Sequence, residues 1–447
     1  MLMNHILIIG AGLSSNALIK YVLNNAVGKG WHVTVADADP SKAEKLIVGH
    51  GNARAAWLDV MKVNDRRELI SKADVVVSLI PAHLHLEVAQ DCIKLKKHLI
   101  TASYVSQEMY RLGDEARDRE LIFMGEMGLD PGIDHMSAMR LIDGIKAEGG
   151  RITSFRSYTG GLIAPESDDN PWHYKFTWNP RNVVLSGQGT AQFIENGKLK
   201  YVPYHRLFRE KKIVNILHEG NFEMYANRDS LLYMDVYGLS DIPNIIRGTL
   251  RAVGFCDAWD ALIQIGLTDA DFPIINSGNI TYHELLDAYV GRYNGGTLRE
   301  RVAQLLNKPA DDQVMDQLEW LGLFRKIKIK HNFATPALIL EHLLREKWLL
   351  KPEDRDMIIM QHEVEYLKED KKYLKISSMK LIGENHVETA MSKTVGLPLG
   401  IFVKLVLDGK ITARGVQIPV MKEVYEPVLQ ELETDFSVVF NENLIEL

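Results

Sequence analysis

The chain is expected to fold as an α/β protein, a doubly wound parallel sheet interrupted by a second domain, and three observations predict this. Apolar runs alternate with helical patterns through the first 130 residues. The first apolar run, HILII, opens into the glycine turn GAGLSS, and the second, WHVTVADAD, ends in acid. Beyond residue 150 the alternation gives way to turn-broken segments, then to helical periodicity, then to a long apolar stretch near the C-terminus. Alternating strands and helices build a parallel sheet covered on both faces.

The strands are expected at Ile6–Ile9, His32–Ala36, Val75–Ile80, His98–Ala102 and Leu121–Met124, with a short one at Ala53–Asp59. Strand, G-x-G turn, helix, and strand ending in Asp37 form the half-unit that holds the ADP part of a dinucleotide. The first domain therefore reads as a Rossmann dinucleotide-binding domain. Gly10 permits the tight turn, and Gly12 lets the backbone approach a pyrophosphate at the helix N-terminus. Ser15 fills the third glycine position with a small residue. Ligands of such sheets bind beyond the carboxyl ends of the strands. Those ends are Gly10–Ser15, Asp37–Asp39, Ser78–His83, Ser103–Val105 and Gly125–Asp130.

Residues 151–240 predict a mostly antiparallel sheet. Residues 241–355 are richer in helical patterns, as in HELLDAYVGRY (283–293) and ALILEHLLREKWLL (337–350). Two strands are expected around the charged turn KEDKK. Thr389–Leu407 predicts an apolar helix interrupted at Gly396 and Pro398, returning the chain to the first domain.

The 447 residues carry a net charge of −7 and no long basic run, which argues against nucleic acid as a partner. Two cysteines without a C-x-x-C suit a reducing cytoplasm and supply neither a disulfide framework nor a cysteine metal site. The N-terminus runs straight into the first strand, so no signal peptide is expected. No apolar run reaches the roughly 18 residues of a membrane span. The histidines lack metal-ligand spacing, and no metal is expected. Hydrolase and kinase signatures are absent from the sequence.

Candidate chemistry gathers in a few segments. GEMGLDPGIDH (125–135) puts Asp130 in a turn at the sheet's carboxyl edge, where a carboxylate can bind an amine or move a proton. The competing reading is a turn-forming Asp before Pro131. Asp134 and His135 are expected to cap and start the next helix. In residues 157–189, Lys175 and Arg181 bracket Phe176 and Trp178. Such a stretch either lines a pocket for an organic anion or packs its aromatics into an interface. Arg228 in ANRDSL and Arg251 in RGTLR are candidates for bidentate contacts with carboxylates.

The motifs GLDPGIDH, SYTGGLIAPE, NPWHYKFTW, LSGQGTA, NRDSL, RGTLR, RDMIIMQHEVE and GVQIPVMKEVYEPVLQEL occur in the order found in saccharopine reductase, the glutamate-forming saccharopine dehydrogenase. The chain resembles that family over nearly its whole length. The resemblance implies a Rossmann domain (1–128 and 394–447) and a central substrate domain (129–393) with a helical insertion at about 268–352. It implies that saccharopine is interconverted with glutamate and 2-aminoadipate 6-semialdehyde through an imine, by hydride transfer with NAD(P). By the same resemblance Ser103, Tyr104, Asp130, Arg228, Thr249, Leu250 and Arg251 contact saccharopine. Gly10, Ala11, Gly12, Leu13, Ser14 and Ser15 hold the pyrophosphate, Ser78, Leu79 and Ile80 flank the adenine or ribose, and Gly128 and Leu129 lie on the nicotinamide side. The general acid–base stays open among Asp130, Tyr104 and a water, and the role of Lys175 stays open too.

Two departures stand out. Fungal members tend to carry an arginine and a threonine just after the second strand, where this chain reads Ala36–Asp37–Ala38–Asp39. A carboxylate accepts from a ribose 2′-OH and repels a 2′-phosphate, so Asp37 predicts a preference for NAD, with NADP as the second cofactor. Thr159 stands where fungal relatives carry cysteine, so a catalytic thiol there is untenable. The competing functions are a carboxyspermidine-type imine-reducing dehydrogenase, which would want acids for a polyamine, and a catalytically idle dinucleotide-binding protein. The expected partner is a small amino-acid substrate, without nucleic acid or membrane, in a cytoplasmic homodimer.

Overall fold

The computed structural model describes residues 4–447 apart from 217, 292 and 294. The chain divides into two compact units, one running to Arg151 and resuming at Met379–Asn441, the other Ile152–Ser378 with Glu442–Leu447.

The first unit is built on a seven-stranded sheet. Its strands are β1 (His5–Ile9), β2 (His32–Asp37), β3 (Ala53–Trp57), β4 (Val75–Ser78), β5 (His98–Thr101) and β6 (Ile122–Met124), joined by Gly415–Gln417. The spatial order is Gly415–Gln417, β6, β5, β4, β1, β2, β3, and every adjacent pair is parallel. Strand order reverses between β1 and β4, which opens a crevice at their carboxyl ends. Ile6, Leu7 and Ile8 of β1 and Val75–Val77 of β4 are fully buried, as the apolar runs of a doubly covered parallel strand require. The strand Gly415–Gln417 returns the C-terminal segment to this sheet beside β6.

The apolar C-terminal helix is not interrupted. It runs from Ala390 to Leu407 straight through Pro398. Pro398 removes one backbone donor, but the helix buries residues on all sides and holds its course. Gly396 and Gly400, one turn apart, serve a close helix crossing instead of a break. A Cβ on Gly396 would lie 2.6 Å from Leu18 N, and one on Gly400 would lie 2.5 Å from Tyr21 Cδ1. Both contacts fall on the helix Asn16–Lys29, which follows the glycine turn. By length and composition alone the segment could cross a membrane, yet 72% of it is buried inside the protein.

The second unit holds a nine-stranded sheet. Its main path runs Lys212–Ile216, Gly220–Ala226, Ile245–Arg251, Arg151–Ile163, Asp356–Lys368, Lys371–Ile382 and Phe440–Glu446. The hairpin Thr190–Glu195/Lys198–Pro203 joins at Ile245. The sheet is mixed: Lys212–Ile216 with Gly220–Ala226, and Thr190–Glu195 with Lys198–Pro203, pair antiparallel, as expected over 151–240. Ile245–Arg251 pairs parallel with Arg151–Ile163, a pairing that the long intervening chain allows. The KEDKK hairpin forms as expected, with Glu369 and Asp370 both at positive φ, the conformation that a two-residue hairpin turn demands. Helices Tyr282–Tyr289 and Leu298–Leu306 each begin with a Thr/Glu capping box. The helical pattern read over 283–293 ends at Tyr289, and Arg292 lies outside the described residues. Helix Pro336–Trp348 packs with the others around Trp172, Trp259 and Trp348, all fully buried.

Candidate active site

The glycine turn has the shape its sequence predicts. Gly10 sits at φ +111°, where a side chain's Cβ would lie 2.8 Å from Leu79 O, and its N–H donates to Ala36 O at 2.8 Å. A Cβ on Gly12 would meet nothing within 4 Å, so the rim of the turn is open. Ala11 and Ser15 are buried, while Gly12 and Leu13 are exposed and Ser14 is half-exposed. Ser15 closes the turn on itself by donating from both N and Oγ to Gly12 O. The helix Asn16–Lys29 starts directly after it, so its N-terminal dipole backs the open rim. These residues fit a dinucleotide pyrophosphate.

Asp37 ends β2, but its carboxylate is already engaged. Oδ2 accepts from Ala11 N at 2.8 Å and Oδ1 from Asp39 N at 2.9 Å. Lys42 Nζ stands 4.0 Å from Oδ1. Asp39 caps the helix Pro40–Leu46 by accepting from Ser41 N and Oγ, and the Ser41 hydroxyl draws its carboxyl below the usual range. Both acids therefore build local turns.

Ser78 is buried at the end of β4, and Leu79 N donates to Ile9 O at 2.8 Å. Leu79 and Ile80 are half-buried beside the crevice between β1 and β4. Ser103 and Tyr104 follow β5. Tyr104 OH donates to Asp130 Oδ1 at 3.1 Å, which brings these two predicted residues together. Asp130 lies in a turn folded back on itself, with Gly128 N donating to Pro131 O and Ile133 N to Gly128 O. Leu129 is buried at its base. His85, Thr101 and Tyr104 line a cleft in this unit.

Residues missed in the sequence complete this network. Glu126 Oε1 accepts from Val105 N at 3.1 Å, and Glu126 Oε2 meets His135 Nε2 at 2.8 Å, both side chains buried. Asp134 is not the cap expected of it: Gly132 is the N-cap, and Asp134 lies in the first turn, accepting from Gly132 N at 2.6 Å. His135 does more than start that helix, because it anchors Glu126. Metal-ligand spacing gives no signal for His85. The signal available was its place one turn beyond the end of a predicted strand.

In the second unit, Thr249, Leu250 and Arg251 end the strand Ile245–Arg251, with Tyr225 opposite Thr249. Arg228 lies two residues beyond the neighbouring strand, exposed and at φ +44°. Arg251 is buried with its guanidinium carbon 5.2 Å from the Tyr174 ring, 5.4 Å from Phe255 and 5.8 Å from Tyr225. Its Nη1 donates to Leu250 O, its Nε has no partner, and no carboxylate of the described residues forms an ion pair with it. Thr159, paired across the sheet with Thr249, also has a buried hydroxyl without a partner. Arg247, not singled out in the sequence, is buried over the Tyr233 ring at 4.4 Å.

Lys175 has its own acids. Its buried Nζ lies 2.7 Å from Asp354 Oδ2 and 2.8 Å from Asp169 Oδ1. Phe176, Trp172 and Tyr174 belong to the aromatic core of this unit. The stretch 157–189 thus packs a core, and Tyr174 also forms part of the cage around Arg251.

Residues 6–124 match the family model described as the saccharopine dehydrogenase NADP binding domain, and residues 128–437 that of the saccharopine dehydrogenase C-terminal domain. The chain is 34% identical to saccharopine dehydrogenase [NADP(+), L-glutamate-forming] of Pyricularia oryzae, over 97% of this chain and 98% of that one. It is 32% identical to the protein of the same name from Saccharomyces cerevisiae, over 99% of both. The solved structure of apo histidine-tagged saccharopine dehydrogenase (L-Glu forming) from S. cerevisiae superposes with a TM-score of 0.87, covering 99% of this chain and all of that one.

These findings overturn the expected preference for NAD. The matched domain is an NADP binding domain, and the fungal relatives are named for NADP(+). The inference from Asp37 failed because it assumed a carboxylate reserved for a ribose hydroxyl. That carboxylate instead holds the glycine turn and the start of the next helix, with Lys42 beside it.

Proposed function

This chain belongs to the saccharopine dehydrogenase (L-glutamate-forming) family, and on that premise we propose that it interconverts saccharopine with L-glutamate and 2-aminoadipate 6-semialdehyde through an imine. The observation that carries the reading is Arg251. A buried guanidinium without an acid is costly, and a substrate carboxylate relieves that cost with a paired, charge-assisted contact. Saccharopine offers three carboxylates. Carboxyspermidine offers one carboxylate among several amines, a poorer match to Arg251 and Arg228 together than three carboxylates, which disfavours that reading.

NADP, when bound, supplies or accepts the hydride. Gly10–Ser15 would hold its pyrophosphate against the helix N-terminus, Ser78, Leu79 and Ile80 would flank the adenine or ribose, and Gly128 and Leu129 would border the nicotinamide. Arg228, Arg251 and the Thr249–Leu250 backbone orient the substrate carboxylates. Ser103 positions the substrate beside Tyr104. Asp130 faces the positive charge of the substrate amine and holds the Tyr104 phenol by the bond already present, so the pair keeps a proton at the reacting nitrogen. The substrate is a small amino acid, and the same reading includes the cytoplasmic location expected from the two cysteines and the homodimer expected from a large central sheet pairing across a two-fold. The mass of the purified protein in solution tests the homodimer.

Mixing purified protein with saccharopine and NADP should raise absorbance at the reduced-nicotinamide band. Silence with saccharopine, but a signal with carboxyspermidine, would overturn the assignment. Asp130→Asn should lower kcat by about 100-fold or more, the scale of a lost acid–base group, with NADP affinity unchanged. Wild-type turnover in that variant would remove Asp130 from its role.

A further inference from the structure

Three hydroxyl groups converge on one buried imidazole in the first unit. His85 opens the helix His85–Leu95, just after the short turn Ala82–Leu84 that follows β4. Its Nδ1 lies 2.9 Å from Ser78 Oγ, at the end of β4. Its Nε2 lies 2.9 Å from Ser103 Oγ and 3.1 Å from Thr101 Oγ1, at the end of β5. The ring is 4% exposed. Burial, helped by the charge of His83, pushes its pKa down to about 4, so the imidazole is neutral at physiological pH. A neutral imidazole has one donor and one acceptor, and a hydroxyl can serve either. Each tautomer is therefore satisfied, because both nitrogens face hydroxyls.

We propose that His85 is a positioning residue for the reaction, one ring that ties the cofactor-side strand end at Ser78 to the substrate-side strand end at Ser103 and Tyr104. The proposal rests on the functional reading above. Ser103 is fixed from three directions. Its side chain meets His85, its N–H donates to Thr101 Oγ1 at 3.2 Å, and its carbonyl accepts from Glu126 N at 3.0 Å. Thr101 Oγ1 itself meets the same ring, so removing the imidazole loosens two of those three restraints. Ser78 precedes Leu79, whose N–H donates to Ile9 O at 2.8 Å beside the glycine turn. A single side chain thus spans the β4 and β5 ends, and adjacent strand ends are where a doubly wound sheet places its ligands.

The two halves of the ring can be separated. The amide of glutamine reaches the place of Nε2, and that of asparagine the place of Nδ1. His85→Gln keeps the bonds to Ser103 and Thr101 and loses Ser78. His85→Asn does the reverse, and His85→Leu loses both. The experiment measures the NADPH dissociation constant by fluorescence, and KM and kcat for saccharopine, for the wild type and all three variants, with thermal unfolding as the measure of folding. We expect His85→Gln to hold KM for saccharopine within about twofold while weakening NADPH, and His85→Asn to hold NADPH while raising that KM. His85→Leu should shift both constants by about 10-fold, the scale of a lost positioned hydrogen bond. Should His85→Leu fail to fold, the split between the amide variants decides the question. Unchanged constants in the folded variants, or both constants moving together in step with lost stability, would reduce His85 to a core residue. If the wild type does not turn over saccharopine, the functional reading falls instead, and the ordering of NADPH affinities still decides the role of His85.

Discussion

Lys175 and Arg251 are buried in the same unit, Lys175 between the core residues Tyr174 and Phe176 in sequence and Arg251 against Tyr174 and Phe255, but they keep opposite company. Around Lys175 two carboxylates close in at 2.7 and 2.8 Å. Around Arg251 stand Tyr174, Phe255 and Tyr225, with a single bond to its own preceding carbonyl. A cation matched by the protein's own acids is complete without a ligand, and its removal strands those acids. A cation matched only by ring faces retains capacity for a bidentate anion. The contrast separates a side chain that holds the fold from one available to a substrate, although both sit in conspicuous aromatic- or glycine-bearing motifs.

The sharpest break in this comparison is Lys175→Met. Asp354 is buried, its side chain 5% exposed, and without the ammonium it becomes an unpaired buried charge. The expected cost is about 3–5 kcal/mol of unfolding free energy, read by denaturant titration, with KM for saccharopine unchanged in the folded fraction. A raised KM at wild-type stability would move Lys175 to the substrate side of the comparison. Arg251→Met should behave in the opposite sense. It removes a buried charge that has no acid, so stability should hold or rise. kcat/KM for saccharopine should fall about 100-fold, in line with a lost hydrogen-bonded ion pair, with NADPH affinity untouched. A loss of stability without a kinetic effect would make Arg251 a scaffold residue.

This difference was invisible in the sequence, for a physical reason. Asp354 lies 179 residues after Lys175, and the three rings around Arg251 come from separate segments. Spacing rules report only what one turn or one strand brings together. They work at Gly10 and Gly12, where turn, helix and strand are contiguous, and along the apolar runs that become β1 and β4. Asp37 was misjudged because its position at the end of β2 is local, while the amide it accepts from, Ala11 N, belongs to the turn after β1. Pro398 was misjudged likewise: a local helix breaker was overridden by burial and by the close crossing at Gly396 and Gly400. The Tyr104–Asp130 pair and the His85 cluster join segments that become neighbours only when β4, β5 and β6 align. The resemblance to a family marked Ser103, Tyr104 and Asp130, but not the buried His85, Glu126 and His135 behind them.

The finest test of the comparison lies in the second acid of the Lys175 cluster. Asp169 is 43% exposed at its side chain and also pairs with Lys351. Hydrogen bonds from Lys175 and then Lys351 hold its carboxyl below its ordinary value of 3.8. A depressed folded-state pKa means that the unfolded chain binds the proton more readily. The stabilisation is therefore complete above pH 3.8 and is lost as the pH falls through the lower, folded-state value. Asp169→Asn should lower the melting temperature slightly at neutral pH, because an exposed pair contributes little. The wild-type and variant melting curves should converge as acid protonates Asp169. Salt should narrow the neutral-pH gap as well, because this acid, unlike Asp354, is reached by solvent. A gap as large as that of Lys175→Met, or one indifferent to both acid and salt, would show that Asp169 shares the buried role of Asp354 and that the cluster is anchored by two acids in equal measure.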